Sequence, residues 1–170
     1  MSFVPDPDAA GVDAEDGVRD RVELAVIPPA IEREELDADG RVGAVAYPYI
    51  VYDATVTLER PFVSDRTTSY VVSVDRSRRL ALRADTFPER EHRTLEDVLV
   101  LPDELTEREA ETLARDSVFK WTLRTFSVNH APDIELTRSR SAHKLFWIVD
   151  GPDGEEIVDS VRGERRPLRD

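Results

Sequence analysis

Three histidines, His92, His130 and His143, are the side chains best suited to proton transfer or metal binding near neutral pH. Their shortest interval, from His130 to His143, is too long to place two of them on one helical turn, so the paired-histidine pattern of a zinc protease is absent. The chain contains no cysteine, which excludes disulfides, thiolate metal sites and sulfur redox chemistry. We therefore expect no metal, no cofactor and no catalytic residues, and we favour a chain that is not an enzyme.

A small group of polar and aromatic side chains could still bind a ligand. The candidates are Tyr47, Tyr49, Tyr52, His130, Asp133 and Asp150. Tyr47 and Tyr49 would share one face of a strand and could form a platform at a sheet edge, although tyrosines also pack in cores and rims. His130 falls in a predicted loop, where a solvated histidine is the simpler interpretation.

Arginine clusters raise the question of a nucleic-acid partner. One cluster follows a predicted strand and the other lies near the carboxyl terminus: Arg76, Arg78, Arg79 and Arg83, and Arg162, Arg165, Arg166 and Arg169. The net charge of -13 opposes phosphate contact, and arginine holds carboxylates in bidentate pairs. No glycine-rich phosphate loop is present either. We favour ion pairs within the protein over a nucleic-acid partner, a weaker alternative that would require the two clusters to converge on one face.

The charged residues are distributed in an unusual way. The chain has 36 acidic and 23 basic residues, and its only lysines are Lys120 and Lys144. Such a surface stays hydrated where salt competes for water, and it resembles that of haloarchaeal-type proteins. The alternative is that GC-rich codons alone favour these residues. The chain contains no apolar run of the roughly 20 residues that a bilayer requires, so we expect a halophilic cytoplasmic protein without membrane contact.

Two pairs of similar segments indicate an internal repeat. Residues 22–28 resemble residues 97–102, since both are apolar strands that end in proline, and residues 70–75 resemble residues 145–150. Chance similarity between proline-ended strands is the alternative.

The repeat sets our expected domain boundaries. Residues 1–20 would be a disordered acidic tail, because they contain too few apolar side chains to offset the cost of ordering. Repeat A would cover residues 21–95 and repeat B residues 96–162, followed by a tail at 163–170. We predict an α+β fold of two tandem β-α-β-β-β-like repeats, with a mostly antiparallel sheet.

One long helix, at about 106–126, should pack on this sheet. Thr106 and Glu109 form a capping-box pattern, which satisfies free backbone amides at the start of a helix. The next apolar residues recur at spacings of three and four: Ala110, Leu113, Ala114, Ser117, Val118, Trp121 and Thr122. In repeat A the matching helix is weak, because Asp37-Ala38-Asp39-Gly40 ends it after one or two turns.

Strands should follow that helix at about 133–139, 143–150 and 155–161. Residues 143–150 are apolar on both faces, which predicts a central strand covered on one side by the helix. In repeat A, residues of about 47–59 alternate between apolar and polar and predict one more strand.

A tight connection joins two of these strands at Asp150-Gly151-Pro152-Asp153-Gly154. This Asp, glycine turn and returning strand resemble the terminal hairpin of PepSY-like domains, and the similarity extends over residues 106–161. The resemblance implies a peptide-binding or inhibitory role without catalytic residues. Repeat A departs from the pattern, because it has Arg76-Ser77-Arg78-Arg79 where the glycines would be.

Two functions are consistent with these patterns. The first is a non-enzymatic module that binds a protein or peptide partner, or assembles as a homo-oligomer. The second is a small-molecule sensor or enzyme with a cleft between the repeats, which would use His130, Asp133 or Asp150 with tyrosines at the rim.

Overall fold

The computed structural model describes residues 17–36, 42–152 and 154–168, which form strands, one α-helix and one short 3-10 helix. In chain order the elements are β1 (Val18–Val26), a 3-10 helix (Arg33–Leu36), β2 (Gly43–Leu58), β3 (Arg66–Asp75), β4 (Leu80–Ala84), β5 (Glu91–Val100), α1 (Glu107–Thr125), β6 (Asp133–Gly151), β7 (Gly154–Asp159) and β8 (Arg165–Pro167). The α+β class expected from the sequence is confirmed.

The strands form one mixed sheet of eight strands in the order β4-β3-β2-β5-β1-β6-β7-β8. β2 pairs with β5, and β1 with β6, in parallel. The pairings β1–β5, β2–β3, β3–β4, β6–β7 and β7–β8 are antiparallel. β2 also pairs with β6, so each of the four strands β2, β5, β1 and β6 pairs with two others of the four.

The described chain divides into two compact units. Unit one consists of the described residues of Met1–Pro48, Glu89–Pro102 and Ala142–Asp170, and unit two of Tyr49–Pro88 and Asp103–Ser141. The long strands β2 and β6 contribute residues to both units. Each unit has its own hydrophobic core.

In unit two, α1 packs on the strands because the helix and the strands each have an apolar face. Ala110, Ala114 and Val118 recur every four residues and are fully buried. On β2, the alternate residues Ala54 and Val56 are buried in the same core. The apolar face predicted for the helix is confirmed.

The start of α1 has the predicted capping box. The Glu109 amide donates to the Thr106 hydroxyl at 3.1 Å, and the Thr106 amide donates to the Glu109 carboxylate at 3.1 Å. The helix begins at Glu107 and ends at Thr125, within one residue of the prediction at each end.

In unit one, strand residues form most of the core. Trp147 is 2% exposed and packs with Leu145, Val149 and Val158, and its indole N–H donates to the Ile31 carbonyl at 2.8 Å. We expected α1 to cover residues 143–150. Instead the partly buried Leu36, the last residue of the 3-10 helix, and Ile31, which precedes that helix, pack against this core.

Parts of both segments that we expected to be tails lie in strands. Residues 1–16 of the expected tail 1–20 lie outside the described residues, but Val18, Arg19 and Asp20 lie in β1, where Val18 pairs with Leu99. Within the expected tail 163–170, Arg165–Pro167 form β8 on β7. Both segments consist mainly of exposed, charged residues, and for this reason the sequence did not suggest strands there. A strand whose side chains are mostly exposed can still form, because its backbone pairs with the neighbouring strand.

The strands predicted at 133–139 and 143–150 are one strand, β6. The residues between the two predicted strands include Arg140 and Ser141, and a continuous strand can carry polar side chains on its solvent face. The hairpin predicted at residues 150–157 is confirmed, since Gly151 pairs with Gly154.

Tandem repeats at 21–95 and 96–162 are not seen. The compact units interleave and take segments from both halves of the chain. Among the described residues of the first half, the helical segment is the four-residue 3-10 helix Arg33–Leu36, whereas the second half has the 19-residue α1.

The capping box provides a stability test. We expect Thr106→Ala to lower the free energy of unfolding by about 1 kcal/mol, because the Glu109 amide loses its acceptor. Urea unfolding followed by circular dichroism measures this loss. Thr125→Ala is the matched control at the other end of α1, where the hydroxyl only adds a bond to the Trp121 carbonyl, and it should change stability by less than about 0.5 kcal/mol. Equal losses in the two variants would contradict this role for the capping box.

Candidate binding surface

The three tyrosines proposed as a ligand platform lie on β2 in different surroundings. Tyr47 is half-buried in unit one and packs edge-on against Phe146, with ring centroids 4.8 Å apart. In unit two, Tyr49 is 4% exposed, and its hydroxyl accepts a hydrogen bond from Arg78 at 3.2 Å. Tyr52 is 6% exposed in the core beneath α1, where burial, with a smaller effect of Glu111, raises its pKa to about 12.

The polar candidates do not form a single group. His130 and Asp133 are exposed in unit two, where Asp133 is the first residue of β6. Asp150 is exposed near the other end of β6, in unit one. Across residues 17–36, 42–152 and 154–168, no three His, Asp or Glu side chains are grouped so that they could hold a metal ion.

The arginine cluster after β3 is held largely by carboxylates. Asp75 is fully buried and accepts from the backbone amides of Ser77 and Arg78 at 3.0 Å, and from the Arg78 guanidinium. Arg76 lies 3.3 Å from Asp103, and Arg79 lies 3.3 Å from Glu104. The Asp75 contacts close the β3–β4 turn, while the pairs of Arg76 and Arg79 join this turn to residues 103–104. All of these contacts agree with the predicted ion pairs.

In unit one, Lys144 and Asp159 form a shielded ion pair. The Lys144 ammonium lies 2.9 Å from the Asp159 carboxylate, and these side chains are 15% and 12% exposed. Burial alone would raise the pKa of Asp159. The hydrogen bond from Lys144, together with the amides of Arg162 and Val161, outweighs burial and holds the pKa below its ordinary value.

Among the described residues, the two most exposed large apolar side chains lie at the end of the β2–β3 hairpin. Phe62 is 106% exposed and Val63 is 58% exposed, and we refer to these two residues as the apolar tip. They lie between Leu58 and Arg66, which pair as the last rung of the hairpin. A soluble chain normally has polar or glycine residues at such a position.

The backbone of the apolar tip is strained and held in place. Phe62 has a φ of 68°, in a region that bulky residues rarely adopt. The Arg60 guanidinium donates twice to the Ser64 carbonyl, at 3.0 and 2.8 Å, and so spans the turn. The Phe62 ring is therefore presented by a closed loop.

The last turn of α1 adjoins the hairpin end within unit two. The guanidinium of Arg66, the first residue of β3, lies 4.6 Å from the ring centre of Phe126, which caps the helix. Phe119 and Leu123, one helical turn apart, are 39% and 44% exposed. Unit two therefore exposes apolar side chains on both the hairpin end and the helix.

Sequence reasoning overlooked the apolar tip. The sequence feature that marks the tip is the Pro61-Phe62-Val63 segment, which has polar residues on both sides. The segment lies in a turn, and its apolar residues do not continue the alternating pattern of β2 or β3. Proline followed by a left-handed residue is a turn pattern that normally has glycine or asparagine in second place. An aromatic residue there would have been the clue.

Comparisons with known proteins give no relative. No protein-family model, no curated protein and no solved structure matches this chain. Within the described chain, no helix combines the length and the apolar character needed to cross a bilayer.

The Lys144–Asp159 pair predicts an acid-dependent contribution to stability. Because the pKa of Asp159 is lower in the folded chain, its contribution is present above the unfolded pKa of about 3.9 and is lost as the pH falls through the folded pKa. At neutral pH, Asp159→Asn should reduce the free energy of unfolding by about 1–3 kcal/mol, and this difference should shrink below about pH 4.

Urea unfolding from pH 3 to pH 7 measures the effect, since urea, unlike guanidinium, does not screen the ion pair. Asp150→Asn removes an exposed carboxylate from β6, the strand that contains Lys144, and should change stability by less than about 0.5 kcal/mol. A difference between the native protein and Asp159→Asn that does not vary with pH would contradict the assignment.

Proposed function

We propose that this chain is a non-enzymatic protein-binding or assembly module whose main contact is the apolar tip. The observation that carries the proposal is a fully exposed phenylalanine, Phe62, in a left-handed backbone conformation. Strained residues cluster at binding sites, and exposed apolar groups often mark protein contacts.

The energetic cost of the Phe62 conformation supports this interpretation. A bulky residue with positive φ costs about 1–3 kcal/mol of stability, and the exposed Phe62 ring has little burial to offset that cost. Burying a phenylalanine side chain is worth about 1.5–3 kcal/mol, so a partner that covers the ring would restore a comparable amount. A large aromatic residue that enters a pocket is also the usual anchor of a protein interface.

The surroundings of the tip indicate the kind of partner. Glu59, Arg60, Asp65 and Arg66 flank the tip and carry two negative and two positive charges. A locally neutral, apolar contact suits a partner with an apolar pocket rather than a phosphate surface. In concentrated salt, such a contact is maintained while ion pairs are screened.

Several sequence-based expectations remain parts of this proposal. They are the halophilic cytoplasmic setting, the peptide-binding role implied by the PepSY-like hairpin, and descent from a duplicated β-α-β-β-β unit. The contact through Phe62 depends on none of them.

The variant Phe62→Gly tests the binding role. Glycine adopts positive φ without strain, so the free energy of unfolding should stay within about 1 kcal/mol of the native value or rise, while the anchor is lost. The tagged protein is used as bait in a pull-down from cell lysate in molar potassium chloride. Quantitative mass spectrometry should show at least one protein that Phe62→Gly captures at a level about tenfold or more below that of the native bait.

The control is Val18→Ser, which removes an apolar side chain that is 45% exposed on β1. The captured proteins should be the same for Val18→Ser and for the native bait. Capture that is identical for native protein and Phe62→Gly, or the absence of any captured protein, would refute the proposal.

A further inference from the structure

The two edges of the sheet differ in how they are protected. β8 has three residues, Arg165–Pro167, and includes proline and arginine, which block strand addition. β4, at the other edge, is the five-residue segment Leu80–Ala84 and contains no proline. Among the described residues, β3 is the strand that pairs with β4.

An apolar side chain lies in the middle of the β4 edge. Leu82 is 47% exposed and pairs with Ser73 of β3. Its neighbour Ala81 packs against the core beneath α1, so the alternation of the strand directs Leu82 to the opposite face. The Arg83 guanidinium lies over the Tyr70 ring, 4.8 Å from its centre.

We propose that β4 pairs antiparallel with β4 of a second copy of this chain, in a register centred on Leu82. The inference is independent of the apolar tip. In this register the two Leu82 side chains lie side by side at the two-fold axis. The reason is that, in symmetric antiparallel pairing, the central residue pairs with the same residue of the other copy.

Charge complementarity selects this register and this partner. Pairing centred on Leu82 places Leu80 opposite Ala84 and Arg79 opposite Asp85, and it does so twice. Arg79 lies 3.3 Å from Glu104 of its own chain, yet its side chain is 59% exposed, and Asp85 is exposed, so the guanidinium can also reach a second carboxylate across the interface. Two chains that each carry a charge of -13 repel each other, and these two opposite-charge pairs counter that repulsion locally.

Light scattering during size-exclusion chromatography tests the proposal from about 1 to about 500 µM, the range in which small interfaces associate. The native protein should approach twice the chain mass of 19.3 kDa as concentration rises. Leu82→Lys should raise the dissociation constant about tenfold or more, because two like charges then face each other at the centre.

A charge exchange tests the register. Arg79→Asp should also weaken the dimer, since it places two acidic groups opposite each other, and aspartate accepts the φ of 56° at this position. The double variant Arg79→Asp with Asp85→Arg should restore the dissociation constant to within about threefold of the native value, because it re-creates both opposite-charge pairs.

Phe62→Gly is the control and should leave the dimer intact, so loss of tip binding and loss of self-pairing can be told apart. Melting curves check that every variant is folded. The proposal is overturned by a native protein that stays monomeric throughout the range, by dissociation constants that Leu82→Lys does not move, or by a dimer that only Phe62→Gly dissolves.

Discussion

The register of β2 is the constraint on which both hydrophobic cores depend. Ala44 and Ala46 supply the core of unit one, and alternate residues from Ile50 to Leu58 supply the core beneath α1. A slip of one residue would turn each of these side chains to the opposite face of the strand. Continuous pairing with β3, from Tyr49↔Asp75 to Leu58↔Arg66, fixes the register over the second half of the strand. β5 fixes it over the first half, where Ala44 pairs with Val98.

The acidic composition appears in the structure as local pairing of arginine and lysine with carboxylates. Arg93 contacts both Glu32 and Glu91, and these carboxylates, against the effect of burial, hold the pKa of its guanidinium above the ordinary range. The buried Asp75 fixes the β3–β4 turn through hydrogen bonds to two amides and one guanidinium. Such pairs shape turns and connections, and their geometry matters more than their number because exposed ion pairs contribute little each.

Local features were predictable from the sequence, and long-range ones were not. The capping box and the spacing of Ala110, Ala114 and Val118 located α1 to within one residue, because both signals lie within a few helical turns.

The similarity of residues 22–28 and 97–102 suggested a repeat. In the structure these segments contribute to β1 and β5, which pair directly, and their likeness has a simple cause: both are half-buried strands that a proline follows. The interleaving of the units follows from strand pairings over long sequence separations, which local patterns do not specify. The apolar tip was missed for a related reason, because Phe62 belongs to no periodic pattern.

The shielding of Lys144 has a chemical consequence. The chain contains two lysines, and the Lys144 amine is enclosed beside Asp159 and the Phe146 ring, while Lys120 is exposed on α1. Acylating dyes and amine-directed cross-linkers require an accessible amine, and the Lys144 side chain is only 15% exposed. Of the side-chain amines in the folded protein, such reagents should modify Lys120 almost alone, which makes the helix a natural place to attach a single fluorophore without introducing a cysteine.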